Sequence, residues 1–154
     1  MTTVKMKLWG VVSNLIPNYY RLFYKMDIGN NVRIAKTVKL DTSVNPKGIH
    51  IGDNTWVLRN VTILSHDHCR GAEGKNQLFE TYIGKNCVIG VNSIILPGIQ
   101  IEDHCIVAAG SVVTKNIPSH SLVAGNPARI IKTGVVVSEK GQILERGLKV
   151  TTSF

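Results

Sequence analysis

Stepping by six from Ile28 lands on Ile34 and Leu40, and all three are branched aliphatic residues. The register slips by five at residues 46–50, then resumes at Ile51, Val57 and Ile63. After a longer interruption it resumes once more at Ile83, Ile89, Ile95, Ile101, Val107 and Val113. A period of six matches neither a helix nor simple strand alternation sustained over a long run. It matches a parallel β-helix, in which each unit is a short strand and a corner. Three units then form one triangular coil of about 18 residues, and successive coils stack about 4.8 Å apart. The spacing predicts three inward columns: Ile28/Ile51/Ile83/Ile101, Ile34/Val57/Ile89/Val107 and Leu40/Ile63/Ile95/Val113.

The position four later in each unit also faces inward in such a coil. It reads Val32, Val38, Val44, Thr55, Val61, Asp67, Cys87, Ser93, Ile99, Cys105, Ser111 and Ile117. Asp67 alone is charged, so either the coil opens there or a local rule is broken for function. Cys87 and Cys105 fall one coil apart and read as small core residues rather than a redox or metal pair. Gly29, Gly52, Gly84 and Gly90 follow inward aliphatic residues directly. Asn30, Asn31, Asp53, Asn54 and Asn86 cluster beside them, as tight or left-handed corners require.

The two ends follow other patterns. Residues 5–26 place Leu8, Val11, Val12, Leu15, Tyr19, Leu22 and Phe23 on one side of an amphipathic helix, with Pro17 bending or splitting it. Two roles are open: a cap over the open first coil, which is favoured, and a basic, aromatic-bearing helix lying on an anionic membrane. Residues 134–150 set two apolar runs around Ser138-Glu139-Lys140-Gly141, the pattern of a β-hairpin. The expected division is a helical cap over 1–27, a β-helix over 28–132 and a C-terminal extension over 133–154.

Composition narrows the partners. The chain has 154 residues, 44% of them hydrophobic and only 6% aromatic, so it can bury an aliphatic core as one domain. No apolar run reaches the roughly 20 residues of a spanning helix. Lys and Arg exceed Asp and Glu by 18 to 10, a net charge of +8. Four of the cations, Lys5, Lys7, Arg21 and Lys25, lie in the first 26 residues, which hold no acid. The balance suggests an anionic partner, but no aromatic platform or known motif points to nucleic acid. Three cysteines without a C-x-x-C pair, and no clear secretory pattern, suggest a cytoplasmic setting.

Several segments resemble one family. Ile51-Gly52-Asp53-Asn54-Thr55 and Ile83-Gly84-Lys85-Asn86-Cys87 are similar to units of the hexapeptide-repeat acyltransferases. Ala108-Ala109-Gly110-Ser111-Val112-Val113-Thr114-Lys115 resembles the coenzyme A segment of that family. Val123-Ala124-Gly125-Asn126-Pro127-Ala128-Arg129 resembles its closing motif. The resemblance implies an all-β left-handed parallel β-helix with triangular coils and an extended loop before the third coil. It implies a homotrimer with sites between subunits. The nearest likeness is to sugar O-acetyltransferases of the maltose and galactoside kind and to enzymes that decorate capsule and lipopolysaccharide.

The interruption at residues 69–82 is then the place to look for chemistry, because an excursion from a solenoid maps to one face, often the binding face. Ser65-His66-Asp67-His68 stands just before it. A histidine suits proton transfer near neutral pH. By resemblance His66 is the general base, taking the proton of a sugar hydroxyl as it attacks the thioester of acetyl-CoA. Asp67 would orient an imidazole or bind the acceptor, and Asn60 and His68 would contact the acceptor. Ala109, Gly110, Thr114, Lys115 and Arg129 would meet the donor, whose phosphates favour cationic side chains. The galactoside-type enzymes carry Trp where this chain has Val88 and Ser where it has Val91, so donor and acceptor details differ. His50, His104 and His120 do not form a metal-site pattern, and no metal is expected. Two other functions stay open: N-acetylation of an amino sugar, and a β-helix scaffold or metal protein without acyl transfer. A lipid-linked glycan acceptor would suit contact with the inner face of a membrane.

Overall fold

A computed structural model describes residues 15–72 and 74–150. The architecture is the expected all-β left-handed parallel β-helix. Four coils of two- and three-residue strands build three parallel faces. The first face joins Asp27–Ile28, Ile49–Ile51, Thr81–Ile83 and Gln100–Ile101. The second joins Arg33–Ile34, Trp56–Val57, Val88–Ile89 and Ile106–Val107. The third joins Lys39–Leu40, Thr62–Ile63, Ile94–Ile95 and Val112–Val113.

The six-residue spacing explains the register. Ile28 pairs with Ile51 and Ile101 with Ile83, and the other columns align in the same way. All twelve column residues are buried, and Ile63, Ile89, Ile95, Val107 and Val113 are fully enclosed. The second inward set is buried too, with two exceptions. Val44 is 37% exposed, and Asp67 is only partly covered. Both stand where the chain leaves the coil, so the inward rule has no interior to apply to. Cys87 and Cys105 are buried free thiols, and each donates to a backbone carbonyl, of Glu102 and Pro118 respectively.

Corners carry the backbone strain. Asn31, Asn54, Asn86, His104 and His120 stack on one corner with φ between 53° and 59°. Asn60, Asn92 and Gly110 stack on the next, with φ of 58°, 60° and 71°. Asn tolerates this left-handed region better than most residues, and Gly carries no penalty there. The same column explains His104 and His120: they continue the Asn ladder, and their rings stack 4.9 Å apart.

At one end, residues 15–24 form a helix. Its Ile16, Tyr20 and Tyr24 pack against the core, covering the first coil. The expected helix continued to residue 26; instead Lys25 turns out of it with φ of 54°. The upstream part of that expectation, with Leu8, Val11 and Val12, lies outside the described residues. At the other end Ser121–Gly125 joins the second face. Ala128–Val137 and Ile143–Lys149 then add to it as antiparallel strands. The strand Ala128–Val137 runs through residue 132, so the coil region and the tail share one continuous strand. The imidazoles of His104 and His120 meet the carbonyls of Val137 and Val135 at 3.0 and 2.9 Å and fasten the tail to the corner.

Candidate active site

The two breaks in the six-residue register lie side by side, at the corner where the third face turns into the first. The shorter break forms a single 3-10 turn, Pro46–Gly48. The longer one forms a hairpin, with His66–Asp67 antiparallel to Gln77–Leu78. The ladder resumes at Thr81, whose buried hydroxyl donates to the Leu64 carbonyl at 2.7 Å. The excursion thus runs over residues 66–80, beginning and ending earlier than the expected 69–82.

Asn45 ties the two breaks together. Its side-chain amide donates to the carbonyls of Ser65 and Phe79, at 3.0 and 2.9 Å, and so bridges both feet of the hairpin. Gly48 is obligatory beside it, because a Cβ there would stand 2.2 Å from the Asn45 amide nitrogen and 2.5 Å from the Phe79 carbonyl oxygen.

The central finding is a buried carboxylate beside His66. Asp41 follows the inward Leu40, and its side chain is 1% exposed. It meets Nδ1 of His66 in a short contact. It also accepts from the backbone N–H and the hydroxyl of Ser65, at 3.2 and 3.0 Å. Burial pushes the Asp41 carboxyl up, but the hydrogen bonds from His66 and Ser65 outweigh it and hold the group below the usual carboxylate range. An ionised Asp41 stabilises the tautomer with the proton on Nδ1, leaving the Nε2 lone pair available. The His66 side chain is 23% exposed, so the ring reaches solvent from a buried anchor. This is the geometry of a general base with an orienting group.

From the sequence Asp67 would orient an imidazole or bind the acceptor, and the structure gives that carboxylate partners other than an imidazole. Asp67 accepts from the backbone N–H groups of Cys69 and Arg70 and pairs with the Arg70 guanidinium at 2.6 Å. Those bonds hold its carboxyl below the ordinary range, the Arg70 contact foremost. Arg70 also lies over the Phe79 ring, 5.0 Å from its centre. Asp67 therefore folds the hairpin. His68 is exposed, and its Nδ1 meets Asn76 at 2.9 Å on the same hairpin.

Asp41 was missed because it follows the inward aliphatic residue and lies outside the two inward positions of the unit; Leu64, Leu96 and Thr114 in the same column are only half-buried. A signal was present: in that position of the twelve units only Asp41 and Glu102 are acids. Asp41 is the one that falls a coil before the interruption.

Asn60, Ala109 and Gly110 stand at the other edge of the third face, whereas Thr114 and Lys115 follow Val113 at the edge that Leu64 and Ser65 occupy two coils earlier. Asn60 occupies the left-handed corner, donates its amide to Asn92 at 3.1 Å and sits over Thr37. Ala109 and Gly110 lie on the same corner two coils on, exposed, with open space where a Gly110 Cβ would stand. Lys115 and Arg129 are exposed cations, and Thr114 is half-buried. Within one chain, then, His66, Asp67 and His68 gather at one corner, and Asn60, Ala109 and Gly110 at another. Among the described residues no group of three His, Cys, Asp or Glu side chains is placed to hold a metal ion. A cavity of about 650 Å³ lies on the first face over His50 and Tyr82 and is not lined by His66. Its lining includes Asp27, Asp53, Glu102 and Asp103, which would repel an anionic ligand such as a nucleotide.

Comparison with known proteins gives a consistent result. Residues 81–115 match a family described as the hexapeptide repeat of succinyl-transferase. YvoF of Bacillus subtilis (strain 168), an acetyltransferase by name, is 36% identical over 79% of this chain and 68% of its own length. A maltose O-acetyltransferase structure from Clostridium difficile 630 is 30% identical, covering 70% of this chain and 68% of that one, with a TM-score of 0.55. A galactoside acetyltransferase solved with coenzyme A is 27% identical and covers 82% and 72%, with a TM-score of 0.59.

Proposed function

The chain belongs to the hexapeptide-repeat acetyltransferases, and from that premise we propose that it transfers an acetyl group from acetyl-CoA to a sugar hydroxyl. The acceptor in this reading is a cell-surface polysaccharide or its precursor. One observation carries it: the pairing of buried Asp41 with partly exposed His66 at the mouth of the hairpin.

The chemistry follows from that pair. Nε2 of His66 takes the proton of the acceptor hydroxyl as its oxygen attacks the thioester carbonyl. A C–O bond forms, and the carbonyl oxygen carries the charge of the tetrahedral intermediate, which a backbone N–H stabilises. The intermediate collapses with loss of the C–S bond. The proton on Nε2 passes to the departing thiolate, so the enzyme returns to its starting state. Asp41 stabilises the transient imidazolium and keeps its ring oriented. No covalent acyl-enzyme is needed.

The donor is assigned to the later coils of the third face, with Ala109 and Gly110 at its far edge and Thr114 and Lys115 at its near one. Gly110, with nothing over its Cβ position, allows close approach to the backbone, and Ala109 flanks it. Thr114, Lys115 and Arg129 face the pantetheine and phosphates, where cations are favoured. Because Ala109 and Gly110 stand at a different corner of the chain from His66, the reading has a homotrimer in which a second copy completes each site. Asn60 and His68 contact the acceptor, and Asp67 acts on it through the hairpin it folds.

The test is CoA release from acetyl-CoA across neutral sugars, amino sugars and nucleotide sugars, with the product's linkage identified. The expected product is an ester on a sugar hydroxyl. Products that are only amides would assign N-acetylation of an amino sugar. Acetyl-CoA neither bound nor consumed with any acceptor would overturn the reading.

A further inference from the structure

The helix at residues 15–24 has two apolar stripes, and the β-helix uses only one. Ile16, Tyr20 and Tyr24 pack on the core, and Pro17 is buried beside them. Leu15, Tyr19, Leu22 and Phe23 occupy the adjacent arc, about 100° wide at 3.6 residues per turn. They are 58%, 46%, 75% and 74% exposed. Sealing the first coil therefore occupies only one of the two stripes. Single exposed apolar residues are ordinary, but a contiguous stripe of four marks an interaction face. Its rings gather into a cluster, with Tyr19 5.1 Å from Phe23 and 5.6 Å from Tyr24.

Charge identifies the occupant. The first 26 residues hold Lys5, Lys7, Arg21 and Lys25 and no acid. Arg21 fixes the helix to the first coil through the carbonyl of Ile28, at 2.7 Å. The nearest acid in sequence, Asp27, is bound to His50 at 3.2 Å. In the sequence the stripe extends upstream at helical spacing through Val12, Val11 and Leu8, next to Trp9. A basic segment with leucine and aromatic side chains along one side is the signature of a helix that lies in the interface of an anionic bilayer. We propose that this stripe docks the protein on an anionic lipid surface, with Leu15, Tyr19, Leu22 and Phe23 entering the headgroup boundary. The β-helix is held at the membrane by its first coil. This inference is independent of the reaction at His66.

Co-sedimentation of the full chain with vesicles tests it. Vesicles of phosphatidylcholine and phosphatidylglycerol should bind at least about tenfold more tightly than phosphatidylcholine alone, and added salt should release the protein. Leu22→Ser with Phe23→Ser should lower anionic-vesicle affinity about tenfold or more, with an unchanged melting midpoint, because neither side chain packs on the core. Lys25→Gln should give a smaller loss that vanishes at high salt. Wild type that fails to sediment with anionic vesicles would overturn the proposal. So would undiminished binding by the double variant. A double variant that changes sedimentation mass instead of vesicle binding would assign the stripe to a second copy and equally overturn it.

Discussion

From Ile83 to Ile117 the chain keeps the six-residue register without a break, whereas from Ile28 to Leu64 it breaks register once and leaves the coil altogether after Ser65. The unbroken part buries nearly identical side chains rung after rung, and its polar atoms are spent on ladder and corner hydrogen bonds. The broken part gathers Asp41, Asn45, Ser65 and His66 into one buried network. A solenoid repeats its chemistry by construction, so a unique arrangement of groups can form only where the repeat fails. The regular coils then serve as the rigid frame that holds the irregular ones.

The sharpest separation of the two regions comes from His66→Ala. It should lower kcat by on the order of 10²–10⁴, the range general-base catalysis contributes, with only a secondary loss in melting midpoint from the partner that buried Asp41 loses. Ile95→Ala should do the converse. Ile95 is fully enclosed in the unbroken part, so its truncation should cost about 2–5 kcal/mol in denaturant unfolding, with kcat of the folded fraction preserved.

Asp41→Asn should show both effects in smaller measure, because Asp41 is part of the core and part of the site. We expect kcat to fall on the order of 10² while the donor KM holds, through loss of the favoured tautomer. Its carboxyl lies below the ordinary value in the folded state, so its stabilising contribution is complete above the unfolded value near 4. That contribution is lost as pH falls through the lower folded value. Wild type should therefore lose stability below about pH 4 by a component that Asp41→Asn lacks, measured by urea unfolding at several pH values. The smallest effect belongs to Lys115→Ala, an exposed cation on the regular side. It should raise the KM for acetyl-CoA up to about tenfold and leave kcat near wild type.

Most of the frame was legible in the sequence because the period is a direct image of the coil: one aliphatic residue in six specifies a strand, a face and a neighbour. Val44 and Asp67 departed from the inward set for a reason the pattern could only hint at, since a polar or misplaced residue marks an opening without giving its shape. The site was half legible. Ser65-His66-Asp67-His68 announced itself by standing before the interruption, yet the carboxylate that meets His66 comes from 25 residues earlier. That partnership depends on the slip at 46–50 lying against the hairpin, a tertiary fact with no local sequence signal. Asp67 showed the hazard of adjacency: neighbours along a strand point to opposite sides, and its carboxylate turned to Arg70.

The central claim is that Asp41 poises His66 as a base, and nitrogen NMR of the imidazole reads that state without knowledge of the acceptor. With ¹⁵N-labelled histidine at a pH where the ring is neutral, His66 should carry its proton on Nδ1 and leave Nε2 bare, and Asp41→Asn should abolish that preference. A His66 ring protonated mainly on Nε2 in wild type, or one indifferent to Asp41→Asn, would contradict the account.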